Sequence, residues 1–116
     1  MGISWNQLWD GVPRNFTPTP DLIILNEGTN DGTKNITMAM VEVLNNLQVL
    51  CPHTPIVILE PFDGGEANFL SQVCAETTIP ANCFYLDTTG FYNQTFGGGL
   101  HPTGPNDVAR IARKFF

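Results

Sequence analysis

The sequence predicts a single α/β domain built on a parallel β-sheet, because short apolar segments alternate with helical patterns along the chain. Three segments have the composition of strands and cover residues 22–26, 56–62 and 83–90. Apolar residues at helical spacing cover residues 35–50, 64–77 and 107–116. Strands separated by helices need crossover connections, which favour parallel pairing in one sheet.

Local signals support each of these elements. The continuous apolar run at residues 22–26 is typical of a strand covered on both faces. Asn35 is a suitable N-cap for the helix that follows. The segment Cys-Pro-His-Thr-Pro at residues 51–55 interrupts the chain before the second buried strand, and a glycine-rich loop precedes the last helix.

Composition limits the classes of function. The chain has 116 residues, which fits one domain spanning residues 1–116, with 42% hydrophobic and 14% charged residues. The net charge is −6 and only five residues are Lys or Arg, so a nucleic-acid partner is not expected. No apolar run approaches the ~20 residues of a membrane-spanning helix.

Cysteines and glycosylation sequons favour secretion weakly. Cys74 and Cys83 bracket a short loop that contains proline and are close enough in sequence to pair, although three buried thiols, with Cys51, are the alternative. Asn-X-Thr sequons begin at Asn15, Asn35 and Asn93. Residues 1–9 lack the charged start and apolar core of a signal peptide.

The segment Gly-Thr-Asn-Asp, residues 28–31, follows the first predicted strand and is a candidate ligand-binding turn. Gly28 allows a tight turn, and Asn30 can direct an amide N–H towards a developing oxyanion. In open parallel sheets, ligands bind outside the carboxyl ends of the strands. The alternative is a loop that only caps the next helix, since Asn and Asp favour turns and N-caps.

His101 is a candidate general base. It lies in a glycine-rich loop on the carboxyl side of a predicted strand, a partly exposed setting that suits proton transfer, although an ordinary surface histidine fits the pattern too. His53, the second histidine, is predicted at the opposite edge of the sheet as a plain loop residue. Two histidines at opposite edges argue against a metal site.

Together, these motifs resemble those of the SGNH (GDSL-type) esterase and lipase family. Residues 21–31 resemble its third sequence block, residues 99–112 its fifth, and residues 56–62 the strand between. The resemblance implies a flavodoxin-like three-layer α/β/α sandwich, here about three βα units of it. It also implies hydrolysis of small acyl or acetyl-carbohydrate esters without a cofactor. Asn30 would be the oxyanion donor and His101 the base, with Gly28 and Asp31 beside the substrate.

The chain departs from the family at the nucleophile, which is normally the serine of a Gly-Asp-Ser block. The chain has only two serines. Ser71 falls within a predicted helix and is interpreted as structural. Ser4 lies too close to residues 28–31 for the nucleophile's usual place, yet it is the remaining candidate. Residues 2–4 resemble the family's second block, in which the Gly2 N–H would complete the oxyanion hole.

A second departure concerns the acid that orients the histidine. The family commonly has Asp three residues before the histidine, where this chain has Gly98. Either a backbone carbonyl of residues 97–99 orients the imidazole, or the site has decayed. Asp87 is interpreted as a strand-end residue and Asp107 as an N-cap.

We therefore expect an esterase of SGNH type that lacks the family's first strand. Residues 22–26 would then form an open sheet edge, and the chain would form a homo-oligomer or pair with a missing N-terminal half. The alternative is an inactive SGNH-like fragment, or a module that binds carbohydrate or protein. Five aromatic residues could form its stacking surface or simply pack in the core: Trp5, Trp9, Phe16, Phe91 and Tyr92. A flavodoxin-like nucleotide binder is a weaker analogy, since no phosphate-binding fingerprint is present.

Overall fold

The computed structural model describes residues 14–31, 34–91 and 105–115. Its strands are β1 (Ile23–Leu25), β2 (Ile56–Leu59) and β3 (Cys83–Leu86). Its α-helices are α1 (Thr37–Leu50), α2 (Ala67–Val73) and α3 (Pro105–Phe115). Two short 3₁₀ helices, Cys74–Glu76 and Pro80–Asn82, lie between α2 and β3.

The strands form a parallel sheet in the order β1-β2-β3. Ile56 of β2 is in register with Ile23 on one side and Cys83 on the other. The predicted α/β fold with a parallel sheet, in a partial flavodoxin-like arrangement, is confirmed. Because the strands are parallel, the segments that follow β1, β2 and β3 all leave the sheet at the carboxyl ends of the strands, which we call the carboxyl edge.

The core lies between one face of the sheet and helices α1 and α2. Ile56 and Ile58 of the central strand are fully buried there. Leu44 of α1 and Leu70 of α2, also fully buried, belong to the same apolar cluster. Alternate residues of a strand point to opposite faces, so Ile56 and Ile58 share the face that the helices cover.

The prediction that the first strand is covered on both faces is wrong. Ile24 of β1 is 57% exposed, and Leu22 just before it is 49% exposed. Phe84 of β3, which alternates with the buried Cys83, is 51% exposed. Within the described residues, β1 pairs only with β2, so the predicted open edge is present in this sheet.

The helix starts differ from the sequence predictions in two places. The N-cap of α1 is Ile36 rather than Asn35, although Asn35 Oδ1 accepts a hydrogen bond of 3.0 Å from the backbone N–H of Thr37. Asp107 is not an N-cap, because α3 begins at Pro105 and includes Asp107. Proline is favoured at the first helical position, where its missing N–H costs nothing.

Helix α2 is shorter than the predicted segment 64–77. Gly64 has a φ of 77° and Glu66 a φ of 59°, and neither angle is compatible with a right-handed helix. The helix therefore starts at Ala67, and beyond Val73 the chain tightens into the 3₁₀ turn. None of the helices in the described part of the chain is long and apolar enough to cross a membrane.

Cys74 and Cys83 form a disulfide, which settles the alternative that the sequence left open. Their Cα atoms lie 5.1 Å apart. The bond joins the end of α2 to the first residue of β3. Cys51 remains a free, buried cysteine.

Candidate functional site

The turn after β1 depends on Gly28. This residue is buried and has a φ of 108°, a conformation that residues with a side chain rarely adopt. A Cβ at this position would lie 3.4 Å from side-chain atoms of Pro61, Glu66 and Leu70. The Asp31 N–H donates to the Gly28 carbonyl over 3.1 Å and closes the turn. The absence of a side chain at Gly28 therefore lets the turn pack directly against the segment that follows β2.

The turn presents Asn30 and Asp31 at the carboxyl edge of the sheet. Both residues are exposed. Residues 26–31 line a cavity of about 200 Å³. No hydrogen bond among the described residues uses the Asn30 side-chain amide. Gly28, Asn30 and Asp31 thus lie together in one turn.

Glu66 lies beneath this turn and was not identified from the sequence. Only 7% of the residue is exposed, and neither carboxylate oxygen has a hydrogen-bond partner. Its backbone carbonyl accepts hydrogen bonds from the N–H groups of Phe69 and Leu70, which start α2. A buried carboxylate without a partner and a left-handed backbone both oppose folding. The preceding Gly64-Gly65 pair was the one sequence signal for an unusual turn here.

Replacing Glu66 with Met is expected to raise the free energy of unfolding by about 1–3 kcal/mol, since it removes a buried and unsatisfied carboxylate at similar side-chain length. Chemical denaturation of the two proteins measures the difference. Glu42→Met is the matched control. Glu42 is an exposed residue of α1, so the same substitution there removes no buried carboxylate and should change the free energy of unfolding little. A loss of stability in Glu66→Met would contradict this account of Glu66.

A second polar cluster joins the carboxyl ends of β2 and β3. Glu60, 7% exposed, accepts a hydrogen bond of 2.6 Å from the Tyr85 hydroxyl and one of 3.4 Å from Thr89 Oγ1. Thr88 Oγ1 donates to the Glu60 backbone carbonyl over 3.0 Å. The charged residue directly after the buried run at residues 56–59 is the signal that could have identified Glu60. The cluster fixes the chain that leaves β3 against the end of the central strand.

Asp87 is exposed at the end of β3, as predicted. Its carboxylate accepts a hydrogen bond of 2.7 Å from the Thr89 backbone N–H. Hydrogen bonding by Thr89 lowers the pKa of Asp87. Asp87 therefore stays ionised at neutral pH and belongs to the cluster around Glu60.

Comparisons with protein-family models, with curated proteins and with solved structures find no match to this chain. The chemical interpretation of the site therefore depends on its own residues and on the motifs that carry the family resemblance.

Some of the other candidate residues lie in the described part of the chain and others lie outside it. Gly2, Ser4, Gly98 and His101 lie outside the described residues. Ser71 is an exposed residue of α2. His53 is exposed in the turn before β2, at the amino edge of the strands, as predicted. The described residues therefore contribute the proposed oxyanion donor and its turn.

Tyr85 is expected to make the folded chain less stable at alkaline pH. Burial raises the pKa of Tyr85 above its ordinary value of 10.0, and the hydrogen bond to Glu60 and the negative charges of Glu60 and Asp87 raise it further. The folded chain thus holds the phenol proton more tightly than the unfolded chain. The stabilisation is complete below about pH 10 and is lost as the pH rises above the unfolded-state value.

Tyr85→Phe is expected to lose this alkaline fall in stability and to lower the free energy of unfolding at pH 7 by about 1–3 kcal/mol, because a buried Glu60 oxygen loses its donor. Denaturation of both proteins between pH 7 and pH 11 measures both effects. An identical alkaline fall in the two proteins would show that Tyr85 is not its source.

Proposed function

We propose that this chain carries part of an ester-hydrolase site of SGNH type, with small acyl esters or acetylated carbohydrates as substrates. The observation that supports it best is the placement of Asn30. Asn30 is exposed on a glycine-dependent turn at the carboxyl end of a parallel strand, and no hydrogen bond among the described residues uses its side-chain amide. Ligands of open parallel sheets bind at this edge, and a side-chain amide there can stabilise a tetrahedral oxyanion.

In the proposed reaction, Asn30 donates its side-chain N–H to the carbonyl oxygen of the ester as negative charge develops there. The Gly2 N–H is the second donor. His101 removes the proton of the attacking hydroxyl and returns it to the leaving alcohol. Ser4 is the serine of this chain that can be tested as the nucleophile, and water then hydrolyses the acyl-enzyme. These steps need no cofactor.

Asp31 and Gly28 have supporting roles in this proposal. Asp31 lies beside Asn30 as a hydrogen-bond acceptor for hydroxyl groups of the substrate, while Gly28 lets the backbone approach the chain after β2. The Glu60 cluster acts at a distance from the ester, since it holds the segment after β3 that leads towards the loop with His101.

A module that binds a partner without catalysis is the second candidate function. One observation favours it: a groove of about 390 Å³ runs along the open edge of the sheet, where Phe16 lines it together with residues of β1. A second copy of this chain or a missing N-terminal half could add a strand to this edge, because β1 pairs with no strand there within the described part of the chain. A binding module would keep this groove but hydrolyse no ester.

Hydrolysis of p-nitrophenyl acetate by the purified full chain separates the two candidates. We expect activity in the wild-type chain that falls in His101→Ala and in Ser4→Ala. His53→Ala and Ser71→Ala are the matched controls, because both residues are exposed and lie outside the proposed site. A wild-type rate equal to the buffer rate would rule out catalysis by this chain and favour the binding module. If Ser4→Ala keeps the wild-type activity, Ser4 is not the nucleophile, but the chain is still an esterase.

A further inference from the structure

We propose that Asn35 is a site of N-linked glycosylation. The sequon Asn35-Ile36-Thr37 spans the start of α1, and Thr37 is the first residue of that helix. Asn35 is exposed in the folded chain. Its Oδ1 accepts the hydrogen bond from the Thr37 N–H, and no hydrogen bond among the described residues uses its Nδ2. Within the described part of the chain, the atom that would carry a glycan is therefore not used by another hydrogen bond.

The reaction is the transfer of an oligosaccharide from a polyprenyl diphosphate to the asparagine amide. A bond forms between Nδ2 and C1 of the first sugar, and the bond between C1 and the diphosphate oxygen breaks. Nδ2 loses one proton, and the polyprenyl diphosphate leaves. No oxidation or reduction occurs, and the side-chain carbonyl is unchanged.

The folded structure is compatible with this modification. Because the glycan replaces one hydrogen of Nδ2, Oδ1 can still accept the hydrogen bond from the Thr37 N–H at the start of α1. Beside Asn35, a groove of about 600 Å³ runs between the start of α1 and α2. Met38, which is 86% exposed, and Phe69 give it an apolar surface, and Asn68 and Gln72 add polar groups. The first sugar can lie over this groove without displacing the core.

The disulfide gives a second, independent reason. The bond between Cys74 and Cys83 is expected to persist in an oxidising compartment, and N-linked glycans are attached to chains that enter such a compartment. The same chain therefore carries two features of the secretory route, in different elements of the fold.

The proposal is restricted to one of the three sequons. Asn15 is also exposed, and its Oδ1 accepts a hydrogen bond of 2.9 Å from the Thr17 N–H. Pro18 follows directly, however, and limits the conformations that Thr17 can adopt. Asn93 lies outside the described residues. Among the described sequons, Asn35 is thus the one in which an exposed asparagine is combined with a threonine that no proline follows.

The test is secretion of the full chain from a eukaryotic host behind a cleavable leader, followed by treatment with peptide N-glycosidase. This enzyme leaves Asp wherever a glycosylated Asn stood, and peptide mass spectrometry locates the change. We expect conversion at Asn35 in the wild-type chain and in Thr37→Ser, which keeps the hydroxyl. Complete loss of conversion is expected in Thr37→Ala.

Formation of the Cys74–Cys83 disulfide reports that each secreted protein has folded. Secreted wild-type chain with this disulfide formed and Asn35 unchanged would overturn the proposal. Equal conversion of Asn35 in the wild-type chain and in Thr37→Ala would also overturn it, since the change would then be deamidation without a glycan.

Discussion

Asn30→Ala is expected to lower kcat for p-nitrophenyl acetate by about 10²–10³-fold, the usual effect of removing one oxyanion-hole donor. The reason is that the amide N–H of Asn30 would bind the oxygen more tightly as its negative charge grows. KM should change little, because the interaction is made mainly in the transition state. This prediction depends on the proposed function and tests its central residue.

Stability measurements separate this effect from damage to the fold. Asn30 is exposed and no hydrogen bond among the described residues uses its side chain, so the substitution should change the free energy of unfolding by less than about 0.5 kcal/mol. Asn46→Ala is the matched control, since Asn46 is an exposed asparagine of α1 outside the site. Equal kcat values for Asn30→Ala and the wild-type chain would remove Asn30 from the mechanism. A similar fall in Asn46→Ala would show that the loss is not specific to the site.

The order of elements could be predicted because each depends on local sequence. A buried central strand needs a continuous apolar run, which residues 56–59 provide, and the helices have apolar residues at their own period. The turn at Gly28 was also accessible to sequence reasoning. A glycine followed by Thr-Asn-Asp after a strand indicates a tight polar turn, and the positive φ of Gly28 agrees with that prediction.

The exposure of β1 could not be predicted in the same way. The apolar run at residues 22–26 looks like that of a central strand, but whether Ile24 is covered depends on which elements pack on its face. That is a property of the tertiary arrangement and leaves no periodic signal in three residues of strand. The sequence resemblance suggested an open edge, and pairing with β2 alone agrees with it within the described residues.

The two buried carboxylates were missed for a related reason. Glu60 and Tyr85 are 25 residues apart in sequence and meet only because β2 and β3 pair in a particular register. Glu66 was assigned to a helix because its neighbours have helical spacing. Its burial follows from the packing of the Gly28 turn, a contact with a segment far away in sequence. Contacts of this kind require the fold before they can be inferred.

Removal of the disulfide is expected to lower the free energy of unfolding by about 2.7 kcal/mol, the chain-entropy value for a closed loop of roughly ten residues. Cys74 and Cys83 are nine positions apart, so the loop is short. The fold should survive the loss, because Gln48 holds the same loop through two hydrogen bonds of 2.9 Å with the backbone of Ile79. Denaturation of a Cys74→Ala/Cys83→Ala double variant measures the change.

A reducing agent provides the matching control for this experiment. It should lower the unfolding midpoint of the wild-type chain and of Cys51→Ala, because both retain the bridge, and leave the double variant unchanged. Cys51 is buried and free, so its replacement tests for the loss of a thiol without the loss of a bond. If reduction left the wild-type midpoint unchanged, the bond between α2 and β3 would not contribute to stability. The hydrogen bonds of Gln48 would then be sufficient to hold the start of β3 beside β2.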